Sequence, residues 1–460
     1  MKNKGKFMDI IKIGELIEQN GGRLYLVGGA LRDSLLNRPI YDEDYCVVGI
    51  EKDTFVQLFP EAISRGKAFE VFDIGGKEFA LARTEKKTGR GHKEFEITIG
   101  KNITIEEDLK RRDITINAIA KDVLTGKIID PFNGIKDIEN KIIRAIGDSF
   151  LEDPLRVYRV ARFASELEFE VEENTLKYMN DLRSELDTLS KERVFVEFRK
   201  ALASNKPSKF FNILKKANVL DIHFKEIYDL IGSLQPIKYH PEGDSYNHTM
   251  IAIDNSVNLT KDLLIRYACL VHDLGKGLTP KEEYPHHHGH AAKGVEPVRN
   301  LSNRIGTPIS WKKAGITSSK EHMRGGRFAQ MSDAKKVDFI ERVSKSTLGL
   351  EGLQIVVYCD RNRFGSLSKE EKEKCTFLDL GNKLLIEIDG NYIKKKYNIE
   401  NGIQFGNKLH EERVKWMKSV QKNARSKNLK NQFFVPSIFY IIILMLQQLL
   451  PFHLRRKFPS

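Results

Sequence analysis

The sequence predicts an α/β domain at the N-terminus, followed by parts that are mostly α-helical. An apolar run at 24–27 has the length of a short buried strand, and the two glycines after it allow a tight turn into a helix near Ala30. Beyond residue 150 apolar residues recur at helical spacing, with Val157, Val160 and Ala161 on one face. A chain of 460 residues is too long for one hydrophobic core, so about three domains are expected.

The first strand and its glycine turn predict a site for phosphate and metal. The turn in Leu-Val-Gly-Gly-Ala-Leu-Arg-Asp at 26–33 aims backbone N–H groups at an anion, as helix N-termini do. Asp42-Glu43-Asp44 opens a second strand-like run that ends at 45–48. Because side chains alternate along a strand, Asp42 and Asp44 leave the same face. Two carboxylates on one face suit Mg²⁺.

Two basic segments follow. The segment 83–95 is basic and contains two glycines, which fits either a flexible loop that closes over a nucleotide or a solvated turn. The segment 107–118 places Arg112, Asp113 and Asn117 beside an apolar run. Arginine suits triphosphate oxygens and aspartate suits a ribose hydroxyl, although such a group alone is more often a surface ion-pair network.

Asp153 and Pro154 predict the start of a capped helix with Arg156, Arg159 and Arg162 along its basic side. The same residues also suit base recognition. Cytosine and adenine present an amine donor beside a ring-nitrogen acceptor, whereas uracil and guanine present a carbonyl beside an N–H. A carboxylate that accepts, at Asp153, and a guanidinium that donates, at Arg156, therefore match C and A and exclude U and G.

Histidines gather in the C-terminal half. His240 and His248 bracket one motif, an apolar helix ends in His-Asp-Leu-Gly-Lys from His272, and a further motif runs from His286 to His290. Imidazole and carboxylate ligands suit a divalent transition metal that polarises phosphate and activates water. A lone histidine is more often a satisfied polar residue, but the His-Asp-Leu-Gly-Lys context indicates a metal site.

In this order the motifs resemble those of class II tRNA nucleotidyltransferases (CCA-adding enzymes), in the bacterial form with an HD domain. The resemblance extends over about residues 22–420 and includes Asp-Pro-Phe-Asn-Gly at 130–134, Glu-Asp-x-x-Arg-x-x-Arg-x-x-Arg from Glu152, and a C-terminal helix start at 402–413. It implies an α/β nucleotidyltransferase head, a mostly α-helical neck with template and tRNA-binding helices, an all-α HD domain with a helical C-terminal part, and a tail of unknown role. These are expected at 1–150, 151–225, 226–420 and 421–460.

The resemblance also implies a function. The head is expected to add C, C and A to tRNA 3′ ends from CTP and ATP without a nucleic-acid template, releasing pyrophosphate. The HD domain is expected to act as a 2′,3′-cyclic phosphodiesterase, 2′-nucleotidase and phosphatase. Mg²⁺ is the implied metal of the head, and a divalent transition metal, with Ni²⁺ as one candidate, that of the HD site. A homodimer is left open.

Site residues follow from the resemblance position by position. The catalytic carboxylates that hold Mg²⁺ are Asp42 and Asp44, with Glu78 as a third candidate. The nucleotide-binding residues are Gly29, Arg32, Arg112, Asp113, Asn117, Arg159 and Arg162, with Asp153 and Arg156 as the base template. The HD metal ligands are His248, His272, Asp273 and Asp360, with His272 and Asp273 also catalytic and with His290 and His322 in support.

Composition bounds the cellular setting. Four scattered cysteines without a Cys-x-x-Cys pair, and an N-terminus without a secretion signal, predict a cytoplasmic protein. The net charge is +13, but ten Lys or Arg against two Glu fall within 411–460, so the body is only mildly basic. The apolar run at 433–446 is shorter than the roughly 20 residues of a bilayer span and contains Pro436. A docking helix, an incidental extension and membrane contact all remain open for this tail.

Several other functions also fit the sequence. Within the class, the chain could add only CC or only A, or could be a poly(A) polymerase. Related sequences divide among these activities on small loop differences, and the segment 83–95 is the one in which such differences are expected. An HD phosphohydrolase of small nucleotides whose head only holds RNA is a second class, which the intact Asp42, Asp44, Asp153 and Arg156 disfavour. A plain RNA-binding protein has little support in the mildly basic body.

Overall fold

A computed structural model describes residues 9–40, 42–65, 71–87, 95–362 and 367–426. Among the described residues, strands occur only up to Val171. They are β1 (Arg23–Val27), β2 (Asp44–Val48), β3 (Ile63–Arg65), β4 (Val71–Ile74), β5 (Lys77–Leu81), β6 (Arg83–Lys87), β7 (Phe95–Ile99), β8 (Ala120–Asp122), β9 (Ile128–Ile129), β10 (Ile142–Ile143) and β11 (Glu170–Val171).

Beyond residue 155 the described chain is mostly α-helical. The helices of the first part and the region after it are α1 (Ile10–Gln19), α2 (Gly28–Leu35), α3 (Lys52–Leu58), α4 (Ile105–Lys110), α5 (Gly134–Glu139), α6 (Arg156–Leu167), α7 (Glu173–Asp181), α8 (Lys191–Ala203), α9 (Ser208–Lys216) and α10 (Leu220–Tyr228). Those of the C-terminal half are α11 (Ser245–Leu259), α12 (Leu263–Val271), α13 (His290–Lys293), α14 (Val295–Ile305), α15 (Ile309–Gly326), α16 (Asp333–Ser344), α17 (Gly349–Arg361), α18 (Lys369–Cys375), α19 (Leu378–Glu387), α20 (Gly390–Tyr397) and α21 (Ile403–Ser426). The remaining turns include the 3₁₀ segments Thr115–Asn117, Asp148–Glu152 and Leu274–Leu278.

A mixed seven-stranded sheet forms the N-terminal part, in the order β3-β4-β5-β2-β1-β8-β9. Strand β2 is antiparallel to β1, where Val27 pairs with Asp44, and parallel to β5, where Asp44 pairs with Glu78. The end of β1, the start of β2 and the start of β5 therefore meet at one place. This register puts the glycine turn and two carboxylates next to one another.

Two predicted helix starts differ from the structure. Helix α2 spans Gly28–Leu35 and so starts two residues before Ala30; Gly28 has a φ of +71° and makes the turn that precedes the right-handed helical backbone. Helix α6 begins at Arg156, with Leu155 in the capping position, so Asp153 and Pro154 lie in the preceding turn. Asp153 still accepts a hydrogen bond from the backbone N–H of Leu155, at 3.0 Å.

Hydrophobic packing is continuous from the first part into the C-terminal half. One core contains residues from Leu31 to Trp311, and a second joins residues between Ala252 and Met417. In the first core, Phe198 lies 6.4 Å from Tyr267 by ring centroids, which is a contact across residue 225. The packing thus does not break at residue 225, and the boundaries near 150, 225 and 420 stay predictions.

The segments of uncertain role are partly described. Residues 83–87 and 95–99 pair as an antiparallel hairpin of β6 and β7, and 88–94 lie outside the described residues. Helix α21 continues to Ser426, and the apolar run at 433–446 also lies outside. Among the described helices, none combines the length and the apolar character that crossing a bilayer requires.

A buried Tyr–His pair joins α6 to α10. The hydroxyl of Tyr158 donates to Nδ1 of His223 at 2.6 Å, and both side chains are almost fully buried. Burial, assisted by the positive charge of Arg304, lowers the pKa of His223 to about 4. His223 is therefore neutral in the folded protein near pH 7, which is the form that can accept the Tyr158 hydrogen.

This pair predicts an acid-sensitive fold. The ordinary pKa of histidine, 6.5, is above the folded value of about 4, so below pH 6.5 the unfolded chain binds a proton that the folded chain cannot. The titration of His223 leaves the free energy of unfolding unchanged above pH 6.5 and lowers it by about 3 kcal/mol as the pH drops to 4. Denaturant unfolding of the wild type and of His223→Gln, which keeps an acceptor but does not titrate, should give curves that diverge in this window. Parallel curves would contradict the assignment.

Candidate nucleotide and metal sites

The Asp44 carboxylate lies where β1, β2 and β5 meet. A Cβ atom at Gly28 would lie 3.1 Å from Nη1 of Arg112 and 3.7 Å from Oδ2 of Asp44, so the turn passes directly over these charged groups. The pKa of Asp44 is raised, first by desolvation and then by the Glu78 carboxylate, while Arg112 opposes the shift and Asp42 adds to it. Carboxylates that repel one another in this way suit a divalent cation.

The three acidic side chains of this place stay accessible. Asp42, Asp44 and Glu78 are exposed, whereas Glu43 turns away and accepts a hydrogen bond from the hydroxyl of Tyr45 at 3.1 Å. Asp42 comes just before β2 rather than within it. The predicted pairing of Asp42 and Asp44, and the choice of Glu78 as a third carboxylate, are thus consistent with the fold.

An arginine–aspartate network, formed by Arg32, Asn117, Asp113 and Arg159, connects the glycine turn to α6. Arg32 donates to the Asn117 amide oxygen at 2.7 Å, and the Asn117 amide donates to Asp113 at 3.1 Å. Arg159 completes the chain with Nε and Nη2 both 2.7 Å from the other Asp113 oxygen. Burial alone would raise the pKa of Asp113, but Arg159 and Arg156 hold it well below its usual range. The network is therefore a buried, charged connection.

Phe163 is a residue of this site that the sequence reasoning missed. Its buried ring has three guanidinium groups around it, with Cζ of Arg162 at 3.9 Å, Arg32 at 5.1 Å and Arg159 at 5.4 Å from the ring centroid. Cations are attracted to the negative face of an aromatic ring. Phe163 follows Arg159 by four residues on α6, so helical spacing beside the arginines was the available signal.

The other predicted nucleotide residues take varied partners. Gly29 lies against Arg32, which would be 3.6 Å from a Cβ at that position. Arg112 pairs with Asp108 at 3.1 Å. Arg162 contacts Phe163 but pairs with Glu197 at 2.5 Å and with Glu166 at 2.7 Å, so its charge is directed into the helical region.

The proposed template residues are both engaged. Asp153 forms an ion pair with Arg193 on α8, at 2.8 Å. Arg156 is buried and donates to the backbone carbonyls of Ser149 and, at 2.6 Å, Arg111. Base recognition by this pair would require these hydrogen bonds to be shared or exchanged.

A second cluster, the histidine–aspartate cluster, lies between α11, α12, α13, α15 and α17. Its members are His248, His272, Asp273, His290, His322 and Asp360. The ligand atoms of His248, His272, Asp273 and Asp360 lie within 4.8 Å of one another, as do those of Asp273, His290 and His322. The structure thus brings together every residue predicted for this site.

Asp273 is the common member of the two groups. Its Oδ2 is 3.2 Å from Nε2 of His272, and its Oδ1 is 3.3 Å from Nε2 of both His290 and His322. Within the described part of the chain, neither oxygen accepts a well-directed hydrogen bond, although both are buried. Buried polar atoms are normally satisfied. A cation between these atoms would satisfy them, so the donor set fits a divalent metal.

The charges of the cluster depend on one another. Although burial disfavours the charged form, Asp273 and Asp360 raise the pKa of His272 to about 10. Burial likewise opposes ionisation of Asp273, but Lys276 and His272 hold its pKa well below the usual range. A metal ion bound at this place would compete with a proton for His272.

Three further residues surround the cluster and were not predicted. Glu242 accepts from Nδ1 of His248 at 2.7 Å, which leaves the other ring nitrogen for the cluster. Lys276 is buried, with Nζ 2.5 Å from Asp273 and 2.6 Å from the amide oxygen of Gln235. Glu242 and Lys276 belong to motifs that the sequence singled out, and Gln235 had no local signal.

A close backbone approach fixes the position of His290. A Cβ at Gly275, two residues after Asp273, would lie 2.0 Å from the carbonyl oxygen of His290 and 2.6 Å from the nitrogen of Gly294. Only glycine allows this approach. The turn after Asp273 can therefore lie against α13, which carries His290 into the cluster.

Three family models match the chain in succession. They are the Poly A polymerase head domain at residues 24–144, the Probable RNA and SrmB-binding site of polymerase A at 168–230, and the HD domain at 245–344. The predicted fold class, a nucleotidyltransferase head followed by a helical region and an HD domain, is thereby confirmed.

Curated relatives identify the family. A multifunctional CCA protein of Shewanella frigidimarina (strain NCIMB 400) is 45% identical over 307 residues, covering 65% of this chain and 73% of that protein. The chain belongs to the multifunctional CCA protein family. A second member, from Pseudoalteromonas atlantica (strain T6c / ATCC BAA-1087), is 40% identical over 358 residues, covering 76% of this chain and 87% of that protein.

A solved structure has the same fold. The CCA-adding enzyme of Bacillus stearothermophilus in complex with CTP superposes with a TM-score of 0.56 at 22% identity, covering 93% of this chain and 100% of that one. This likeness shows that the two chains share an overall fold.

The ring of Phe163 should be needed for nucleotide affinity. Each cation–π contact is worth about 0.5–1 kcal/mol, so Phe163→Leu, which stays apolar but loses the ring, should raise the KM for CTP and ATP about tenfold. Phe163→Tyr should retain an aromatic face and a near-normal KM. Steady-state kinetics with both nucleotides test this, with melting temperature and phosphohydrolase activity as controls for folding. Equal KM values for Phe163→Leu and the wild type would show that the ring does not contribute to nucleotide binding.

Proposed function

We propose that this protein adds the 3′-terminal CCA to tRNA from CTP and ATP at the head, and hydrolyses phosphate esters of nucleotides at the histidine–aspartate cluster. The observation that carries the proposal is the presence of two separate, differently built metal-compatible sites. One is an exposed carboxylate group beside a glycine turn, and the other is a buried group of imidazoles and carboxylates. Names of relatives support both parts, because those relatives are multifunctional CCA proteins.

At the head, Asp42 and Asp44 would hold Mg²⁺. When bound, Mg²⁺ lowers the pKa of the primer 3′-hydroxyl and neutralises the triphosphate. Backbone N–H groups at Gly28 and Gly29 open α2 towards the same place, and Arg32 and Arg159 supply positive charge for triphosphate oxygens. Phe163 holds the arginine side chains in a fixed geometry, which favours transfer by positioning.

Selection of C and A is assigned to Asp153 and Arg156. The carboxylate of Asp153 accepts one hydrogen bond from the Leu155 N–H and one from Arg193, and each carboxylate oxygen has two lone pairs, so acceptor capacity is left for a base amine. Arg156 is fixed by the carbonyls of Ser149 and Arg111, and this fixation limits its movement when C is replaced by A. The same two side chains can then serve both nucleotides.

At the histidine–aspartate cluster, His248, His272, Asp273 and Asp360 would hold a divalent transition metal, with Ni²⁺ as one candidate, and His290 and His322 support it. When bound, the metal polarises the phosphate and activates water. Glu242 fixes the ring orientation of His248. The ammonium of Lys276 is directed at Asp273 and can stabilise negative charge that develops on a phosphate.

Partners and location follow from this function. The expected macromolecular partner is tRNA, and CTP and ATP are the small-molecule substrates; solved CCA-adding enzymes in complex with CTP and with ATP support this choice. We assign the protein to the cytoplasm, where its tRNA substrates are. Complete addition of CCA is favoured over partial addition by the names of the relatives.

The two activities should be separable by mutation. With tRNA lacking CCA and CTP, ATP, UTP and GTP supplied singly and together, wild type should add three residues and require CTP and ATP. Asp44→Asn should abolish addition and spare hydrolysis of 2′,3′-cyclic AMP, and His272→Ala should do the reverse, because the metal groups lie in different parts of the fold. A folded variant that loses both activities would contradict two independent sites.

Asp153 should control selectivity as well as rate. Removing one partner of a polar base contact costs about 1–3 kcal/mol, so Asp153→Ala should lose about tenfold to a hundredfold of the discrimination against UTP and GTP. Arg159→Ala, at a proposed phosphate contact, should slow all nucleotides alike. Relative kcat/KM for CTP, ATP and UTP decides between them. Wild-type selectivity in Asp153→Ala would leave Asp153 as a structural partner of Arg193.

A further inference from the structure

A short segment beside the histidine–aspartate cluster exposes an unusual amount of apolar surface. Within this rim loop, residues 234–242, Leu234 is 54% exposed, Ile237 78% and Tyr239 59%. Lys238, between the last two, is also exposed, and its Nζ lies 5.5 Å from the centre of the Tyr239 ring. Apolar side chains concentrated in one place mark ligand or partner sites more often than isolated ones do.

Both ends of the rim loop are attached to the cluster. Gln235, near its start, accepts from Lys276, whose ammonium is 2.5 Å from Asp273. Glu242, at its end, accepts from Nδ1 of His248 at 2.7 Å. The exposed side chains are therefore presented from a segment whose two ends contact cluster members or their direct partner.

The middle of the rim loop is also ordered and close to the cluster. The backbone N–H groups of Tyr239 and His240 both donate to the carbonyl of Pro236, at 2.9 Å, which closes a tight turn. The ring of His240 is 5.0 Å by centroids from that of His248. The loop thus forms part of the border of the cluster.

We propose that the rim loop is the nucleobase subsite of the phosphohydrolase site, with Tyr239 stacking on the base, Ile237 packing beside it and Lys238 facing a phosphate. This inference rests on the proposed phosphohydrolase function and adds the part of the substrate that is recognised. An aromatic ring stacks on any base, since every base has a π-face, so the subsite accepts different nucleotides. A substrate with a base should therefore be preferred over the same phosphate ester without one.

Substrates with and without a base separate this role from a structural one. The full chain is assayed with 2′,3′-cyclic AMP and with glycerol 1,2-cyclic phosphate, which has the same five-membered cyclic diester but no base. Tyr239→Ala should raise the KM for 2′,3′-cyclic AMP about tenfold with little change in kcat, and leave the base-free ester unaffected. Tyr239→Phe should behave as wild type, because stacking needs the ring and not the hydroxyl.

A matched control tests whether truncating any exposed apolar side chain has the same effect on KM. Ile386 on α19 is 77% exposed, close to the 78% of Ile237, and lies outside the rim loop. Ile237→Ala should raise the KM for 2′,3′-cyclic AMP, whereas Ile386→Ala should not. If Tyr239→Ala slows both esters equally, or neither, the base subsite is wrong.

The source of the nucleotide and the underlying function are tested separately. If the natural ligand is an RNA end, Lys238→Ala should lower kcat/KM more for an oligoribonucleotide that ends in a 2′,3′-cyclic phosphate than for 2′,3′-cyclic AMP. If the natural ligand is a free nucleotide, the substitution should lower kcat/KM equally for the two substrates. Failure of the wild type to hydrolyse either ester would contradict the proposed function. Calorimetric titration with adenosine 2′-phosphate still tests the loop in that case, since weaker binding by Tyr239→Ala supports the subsite and unchanged binding overturns it.

Discussion

A buried aspartate needs partners, and this requirement organises both parts of the molecule. Asp113 is satisfied by protein groups, because Arg159 and Asn117 donate to its oxygens, and this pairing connects the sheet to α6. Asp273 is equally buried, yet its oxygens accept no well-directed hydrogen bond within the described residues and instead face imidazoles and the Lys276 ammonium. The first aspartate therefore connects parts of the scaffold, and the surroundings of the second fit a divalent cation.

The two sites differ in how their environments suit the chemistry. The Asp44 group is exposed, so a long RNA end and a triphosphate can both reach it, and positive charge comes from arginines held by Asp113 and by the Phe163 ring. The histidine–aspartate cluster is enclosed by helices and bordered by the rim loop, which suits a small ester group at the end of a larger substrate. Continuous packing from Leu31 to Trp311 fixes the elements that carry the first site to those that begin the second.

Local sequence patterns predicted the parts of these sites that depend on short-range geometry. Strand alternation predicted that Asp42 and Asp44 lie on one face, although Asp42 precedes β2, and the His272-Asp273 pair at the end of an apolar helix indicated the candidate metal group. Contacts between distant segments had no such signal: Phe163 resembled an ordinary core residue of α6, and Gln235 joins the cluster only through Lys276. The starts of α2 and α6 were misplaced by about two residues because backbone turns at Gly28 and Asp153 decide them. The prediction that Asp360 and His248 share a site came from family resemblance. Only the tertiary structure, which places α17 beside α11, explains why the two side chains meet.

We propose that one chain carries two independent metal sites for phosphate chemistry. Anomalous diffraction from crystals of the full chain, grown with Mn²⁺ and a non-hydrolysable CTP analogue, tests this proposal. We expect one peak beside Asp42 and Asp44 and another beside Asp273, with the first lost in Asp44→Asn crystals and the second retained. A single peak in the wild type, or loss of both peaks on the Asp44 substitution, would contradict it.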